Sequence, residues 1–204
     1  MRSLLEAGLQ HYQLTSSSQT CDMLLEYLSL LDKWNKTYNL TAVRTQQEML
    51  QRHVLDSCSI HSFIEGSRCL DVGTGPGLPG LVLAMLQPDK HWLLLDSNQK
   101  KVRFLRHVQL QLKLENVEVV QSRVESYKPD AGFNTVVCRA FSSLQDFVNK
   151  SSHLLAADGV LLAMKAKPGR EELEAVSGTV ARLDLIELDT MGQEDSRCLV
   201  RIRP

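Results

Sequence analysis

Apolar residues recur in two different rhythms along the chain, and the change falls near residue 67. Before it the spacing is helical. Cys21, Leu24, Leu28 and Leu31 form one stripe, with Tyr27 and Trp34 flanking it, which predicts a helix over 21–34 with one buried face. Asn35 to Asn39 are expected to break it. Thr45-Gln46-Gln47-Glu48 then fits a capping box, in which Thr45 and Glu48 each satisfy a free backbone amide. Leu50, Val54 and Leu55 carry a second helix toward Gly66. Residues 1–66 read as wholly helical.

Beyond that point short apolar runs alternate with helical stretches. The runs are Cys69–Val72, Trp92–Leu95, Val117–Val120, Thr135–Cys138 and Val160–Met164, with helix-like stretches at 78–87, 98–114, 143–155 and 170–180. Short, nearly all-apolar strands separated by helices imply a parallel sheet covered on both faces. Leu183–Leu188 and Cys198–Ile202 follow with no helix between them, which predicts an antiparallel hairpin at the sheet edge. The expectation is an α/β chain: a helical segment over 1–66 packed on the core, then a doubly wound, mostly parallel seven-stranded sheet over 67–204. In such sheets a ligand lies beyond the carboxyl ends of the strands, near the point where strand order reverses.

That end of the first strand carries the strongest signal, Asp71-Val72-Gly73-Thr74-Gly75-Pro76-Gly77-Leu78-Pro79-Gly80. Glycines there permit positive φ and close approach of a ligand. A helix opening near Leu78 and Pro79 is expected to offer free amides to an anion. Asp96 ends the second strand, where its carboxylate can accept both hydroxyls of a ribose. A dinucleotide loop would need a third glycine where Leu78 stands. S-adenosylmethionine fits better: a ribose for Asp96, a carboxylate for the loop amides, an ammonium for Asp71. After the third strand Val124 and Glu125 should flank an adenine. Arg139, ending the fourth, points into the cleft and suits a phosphate or carboxylate.

Charge adds a constraint. The chain has 204 residues, 43% hydrophobic and 23% charged, enough for one sizeable core. Lys plus Arg number 23 against 24 Asp plus Glu, a net charge of −1 that excludes binding nucleic acid by bulk charge. The sum hides segregation: residues 97–114 hold five basic side chains and no acid, whereas 171–195 hold eight acids and one Arg. Lys36, Arg44, Arg52, His53, Lys100, Arg103 and Lys165 are candidate RNA contacts. No apolar run reaches the length of a membrane span, residues 1–14 lack a leader's apolar core, and no Cys-x-x-Cys or His-x-x-x-His pair occurs. No metal, no membrane partner and a cytoplasmic location are expected. No Asn/Asp-Pro-Pro-Tyr follows the fourth strand, and Cys138 lacks a preceding Pro and reads as a buried thiol. These absences suit an acceptor with a free lone pair, such as guanine N7, which needs alignment more than a base. A small-molecule methyltransferase and a non-catalytic module remain open at this point.

Taken together the residues resemble a known family. Tyr38-Asn39-Leu40-Thr41, Arg52-His53-Val54-Leu55-Asp56-Ser57, Asp71 through Gly80, Leu94-Leu95-Asp96-Ser97, Val102-Arg103-Phe104-Leu105, Ser122-Arg123-Val124-Glu125 and Arg139-Ala140-Phe141 occur in the order of the bacterial small-subunit ribosomal RNA guanine-N7 methyltransferases, the glucose-inhibited division protein B family. The resemblance implies a Rossmann-like methyltransferase fold and in-line methyl transfer from S-adenosylmethionine to N7 of a guanine in 16S-type ribosomal RNA, leaving S-adenosylhomocysteine. It implies cofactor contacts at Gly73, Leu78, Val124, Glu125 and Arg139, with Gly75, Gly77, Asp71 and Asp96 completing the cradle. Arg139 is the expected orienting residue at the reaction centre, and a monomer the expected form. Two departures stand out: Cys138 where Ser is common, and Lys165-Ala166 where Lys-Gly is common, which puts the role of Lys165 in question.

Overall fold

The computed structural model describes residues 1–15, 17–139, 141–191 and 196–204. Helix α1 (Arg2–His11) is followed by α2 (Ser18–Tyr38), whose amino end is capped by the Ser17 side chain. Asn35 does not break α2. It is buried within the helix, where Nδ2 donates to Val43 O (3.1 Å) and Oδ1 accepts from Thr41 N (2.9 Å), so its amide ties down the following loop. The helix stops one turn later, at Asn39, a left-handed cap with φ +49° that Asn tolerates through its short polar side chain.

The capping box at Thr45 forms as expected and opens α3 (Gln46–Met49). The helix then widens into a π turn over Leu50–Leu55, narrows to α4 (Asp56–Cys58) and gives way to a 3-10 turn (His61–Phe63), short of Gly66. Such widened turns displace side chains from ordinary helical spacing. This one carries Arg52 and His53, and Asp56 follows it.

Seven strands form one sheet: β1 (Arg68–Val72), β2 (His91–Asp96), β3 (Val117–Gln121), β4 (Phe133–Arg139), β5 (Leu155–Ala166), β6 (Arg182–Leu188) and β7 (Arg197–Arg203). Their order is β3-β2-β1-β4-β5-β7-β6. β1 to β5 run parallel, while β7 is antiparallel to both β5 and β6. The hairpin therefore returns inward: β7 lies against β5 and β6 forms the edge. The order reverses between β1 and β4, so the ligand-bearing crevice opens at their carboxyl ends.

Helices α5 (Gly80–Leu86) and α6 (Gln99–Gln111) cover one face with α2, and α7 (Leu144–Ser151) and α8 (Arg170–Ser177) cover the other. Alternate residues of a strand serve opposite faces. Trp92 and Leu94 of β2 join the first core and Leu93 and Leu95 the second, which is why the strand reads as unbroken apolar sequence. The first core runs without a break from Leu5 and Leu24 of the helical segment to Leu162 of the sheet. Tyr27 and Trp34 contribute rings packed against Phe104 of α6, at 6.4 and 5.6 Å between centroids. Tyr27 is fully buried in the core, and Trp34 is half-buried against it.

Candidate active site at the carboxyl ends of the strands

The glycine loop leaves β1 and turns through positive φ at Gly73 (+66°), Gly75 (+62°) and Gly77 (+97°). At Gly77 a Cβ would stand 2.3 Å from the Leu81 side chain, so that position is closed to any other residue. The expected free amides are not there. Gly73 N and Thr74 N donate to Leu95 O (2.8 and 3.1 Å), Gly77 N and Leu78 N to Thr74 O (3.0 and 2.9 Å). Gly75 N donates to Asp96 Oδ2 (2.9 Å) and Gly80 N to Asp71 Oδ2 (2.7 Å). The helix also opens at Gly80, two residues later than the sequence suggested. The idea that these amides hold a carboxylate is thus corrected: two Asp side chains, the Leu95 carbonyl and the loop's own carbonyl at Thr74 already engage them. Gly73 is exposed, and a Cβ added there would meet nothing within 4 Å, so the loop admits a ligand at that point. Gly75, Gly77 and Leu78 are buried beneath it.

Asp71 lies under the loop and not on the cleft wall. It is fully buried, accepts from Thr74 Oγ1 (2.7 Å) as well as Gly80 N, and shapes the turn from below. Burial pushes its carboxyl up to about 6, against the opposing pull of those two donors. From the other side Tyr27 reaches out of α2 and donates its hydroxyl to Pro76 O (3.0 Å), so the helical segment braces the loop.

Two clefts open along the strand ends. The first, about 190 Å³, is lined by Gly73, Asp96, Val124, Glu125, Phe141 and Lys150, among others. Asp96 ends β2 and is held by Gly75 N, by Asn98 N (2.8 Å) on Oδ1, and by Lys101 Nζ at 3.5 Å. Val124 and Glu125 sit on a 3-10 turn after β3, and Lys150 of α7 stands 3.8 Å from Glu125. A fixed carboxylate between a glycine opening and the apolar Val124 and Phe141 fits a nucleoside with vicinal hydroxyls.

The second cleft, about 590 Å³, is lined by Arg52, His53, Arg139, Lys165, Lys167 and Arg197 with Thr41 and Glu172. Arg139 lines this cleft and not the first. Its Nη1 donates to Arg52 O (3.1 Å) and to Asp56 Oδ2 (3.3 Å), and Nη2 stands 3.4 Å from His53 Nδ1. Lys165 pairs with Glu172, which also accepts from Leu144 N (3.0 Å) at the start of α7. The Arg52 carbonyl can only accept, so His53 Nδ1 donates to it (3.0 Å), and in the neutral ring Nε2 then accepts the Thr41 hydroxyl (2.8 Å), whose oxygen also accepts from Val43 N. Burial, then the neighbouring Arg139 guanidinium, pushes His53 down to about 4. Cys138, one residue before Arg139, is buried, and burial holds its thiol well above the usual range.

The structure brings Gly73, Asp96, Val124 and Glu125 together around one cleft and Arg52, His53 and Lys165 around the other, while Arg139, expected among the cofactor contacts, lines the second cleft. Lys36, Arg44, Lys100 and Arg103 line neither. Lys36 pairs with Asp32 (3.2 Å), Arg44 donates to Asn39 Oδ1 (3.3 Å), and Lys100 and Arg103 are exposed on α6. Ala140 lies outside the described residues. Lys101, Lys150, Asp56, Glu172 and Arg197, which also line or brace the clefts, were not among the expected site residues. Only Asp56 left a trace, as a carboxylate set among Val54, Leu55 and Cys58. Among the described residues no group of His, Cys, Asp or Glu is placed to hold a metal ion, and no helix is long and apolar enough to cross a membrane.

The same fold occurs in solved structures. A predicted O-methyltransferase from Agrobacterium tumefaciens superposes with a TM-score of 0.60 at 19% identity, covering 72% of this chain and 79% of its own. A SAM-dependent methyltransferase from Aquifex aeolicus gives 0.59 at 18%, covering 88% and 98%. They define the fold class as the Rossmann-like fold of S-adenosylmethionine-dependent methyltransferases. The model of the family described as rRNA small subunit methyltransferase G matches residues 20–199. The ribosomal RNA small subunit methyltransferase G of Legionella pneumophila is 48% identical over 202 residues, 99% of this chain and 94% of the relative. That of Klebsiella pneumoniae is 48% identical over 203 residues, 100% and 96%. The chain belongs to the rRNA small subunit methyltransferase G family.

Proposed function

We propose that the protein transfers a methyl group from S-adenosylmethionine to N7 of a guanine in 16S ribosomal RNA, as a cytoplasmic monomer and without a metal ion. The observation that carries this reading is the pairing of the two clefts across the β1–β4 reversal. One is shaped for a nucleoside around Asp96, and the other is rimmed by arginines and lysines at the ends of β4, β5 and β7. S-adenosylmethionine supplies an electrophilic methyl on a sulfonium sulfur. Asp96 holds the ribose, Val124 and Glu125 flank the adenine, and the exposed edge of Gly73 leaves room for the methionine end. With the loop amides engaged, a carboxylate must be met elsewhere, and we assign Arg139, at the end of β4 in the second cleft, to orient it or the RNA.

Guanine N7 carries a lone pair and no proton. As the N7–C bond forms in line, the C–S bond breaks and its electron pair stays on sulfur, so no general base is required. The arrangement supports this: His53 is neutral with both ring nitrogens engaged, and Asp71 and Asp56 are buried, each with one oxygen already accepting from protein donors. The base must be exposed for its edge to be reached. Undermethylated small ribosomal subunits, incubated with the protein and labelled cofactor and mapped for 7-methylguanosine, should gain one modified guanine. Absence of methyl incorporation into particles and into naked RNA would overturn the proposal.

A further inference from the structure

We propose that Arg197 binds a backbone phosphate of the RNA in the second cleft, and that buried Asp56 positions it there beside Arg139. The inference rests on the reading that this cleft receives RNA.

Arg197 is the first residue of β7 and pairs in register with Ala166, the last residue of β5. Because β7 runs antiparallel, its first residue arrives at the carboxyl ends of the parallel strands, where chemistry is done. Asp56 comes from α4 and is 1% exposed. Arg139 Nη1 lies 3.3 Å from one of its oxygens and Arg197 Nε 3.6 Å from the other. One buried carboxylate thus faces two guanidinium groups delivered by β4 and β7, and the three carry a net positive charge.

The two arginines are held differently. Arg139 makes hydrogen bonds to Asp56 and to a carbonyl. Arg197 is held by charge: its Nε and the facing Asp56 Oδ1 are both buried, and neither has a hydrogen-bond partner among the described residues. A guanidinium serving only to tie two elements together is expected to satisfy its donors on protein. Here the side chain lines an open cleft and is 27% exposed. With Nε turned inward to Asp56, the outer end of the planar guanidinium is the part left to the cleft, and no hydrogen bond to a described residue engages it there; such a fork at the edge of a cationic cleft matches the paired oxygens of a phosphodiester. Phosphate contacts fix the register of a nucleic acid, and a target base presented to a fixed methyl group needs its backbone held. Asp56 offsets the repulsion that would otherwise drive the two arginines apart and sets their spacing.

The test uses the full chain with undermethylated small ribosomal subunits, and reads kcat, KM for the particle, and Kd for S-adenosylhomocysteine between roughly 50 and 200 mM salt. Arg197→Gln is expected to raise KM about tenfold with kcat and cofactor affinity unchanged, since a charge-assisted contact is lost. The log–log salt slope of particle binding should become shallower by about one. Arg197→Lys should restore the slope but only part of the KM. Asp56→Asn should shift KM in the same direction, and its effect should shrink in the Arg197→Gln background to the part that runs through Arg139, so the double variant should be less impaired than the two single losses combined. If Asp56→Asn does not fold, Asp56→Glu, which keeps the charge and changes the reach, completes the same cycle. An unchanged KM and slope in Arg197→Gln, or a parallel loss of cofactor affinity, would overturn the phosphate role. Additive losses in the double variant would overturn the positioning role. Wild-type transfer is the control: its failure would sink the methyltransferase reading, whereas normal transfer with an indifferent Arg197→Gln sinks this inference alone.

Discussion

The two clefts are made in opposite ways. The first is built chiefly on three successive strand ends, β1, β2 and β3, with Phe141 and Lys150 closing it from beyond β4, and backbone geometry does most of the shaping. Its central carboxylate, Asp96, is clamped by two backbone amides. The second draws on Arg52, Asp56, Arg139, Lys165 and Arg197, from a π turn, a short helix and three strands spread over most of the chain. There the shaping is done by charge: a buried carboxylate and an acid on α8 set the positions of three cations. A small cofactor is recognised by a compact local motif that a short stretch of chain can encode. A folded RNA is recognised by groups brought together only by the tertiary fold.

The largest expected effect lies in the first cleft. If Asp96 holds the ribose as proposed, Asp96→Ala removes two charge-assisted hydrogen bonds, each worth about 2 kcal/mol, so cofactor affinity should fall on the order of a thousandfold. Calorimetric titration with S-adenosylhomocysteine reads this directly. An unchanged Kd would remove Asp96 from the ribose site and with it the distinction drawn between the clefts.

Next comes the floor of that cleft. Asp71 ionises near 6 in the fold and near 3.8 when exposed, because burial disfavours its charge. The unfolded chain therefore releases this proton first, and the group's contribution to stability falls as pH rises from about 4 to about 6, by about 3 kcal/mol in all. Asp71→Asn keeps an acceptor for Gly80 N and Thr74 Oγ1 but does not titrate. Measured by urea unfolding, the stability of the native chain relative to Asp71→Asn should decline across that window and be flat above it. A difference independent of pH would show that Asp71 is not the buried titrating group.

How much of this was legible beforehand follows the same division. The strand–helix alternation, the hairpin, the glycine loop and Asp96 were readable because each is a contiguous pattern. The free amides were misread because sequence shows donors but not the acceptors that engage them, here Leu95 O, Thr74 O, Asp71 and Asp96. The π turn at 50–55 leaves no mark, since one widened turn barely alters apolar spacing. β5 begins at Leu155, earlier than expected, because pairing of Leu155 with Phe133 overrides the poor strand propensity of Ala156, Ala157 and Asp158. Arg197 had no signal, because its place depends on β7 folding back between β5 and β6.

A smaller effect tests the boundary between the clefts. Arg139→Lys keeps the charge but loses the planar group whose Nη1 donates to both Arg52 O and Asp56 while Nη2 faces His53, so kcat/KM for the particle should fall about tenfold. If the whole loss appears in cofactor Kd, Arg139 belongs with the first cleft; if it appears in KM for the particle, with the second.

The smallest expected effect is a flat line. His53 is the one histidine in the second cleft, at the face where a base would have to act. Burial and Arg139 hold it near 4, well below its exposed value of 6.5, so it is neutral throughout pH 6–8. The sign for stability is the reverse of that for Asp71. The unfolded chain takes up the proton first as pH falls below 6.5, so stability is lost progressively down to about 4 and is fully present above. Catalysis should not feel that titration, because N7 has no proton to surrender. The kcat profile of the native protein should therefore run level between pH 6 and 8, and His53→Gln should leave its shape unchanged even where the lost contact with Thr41 lowers its height. A limb with an apparent pKa inside that range, present in the native chain and gone in His53→Gln, would mean that the histidine carries a proton in the reaction. Direct attack by a free lone pair would then be the wrong chemistry for this site, and the second cleft would be catalytic machinery as well as an RNA seat.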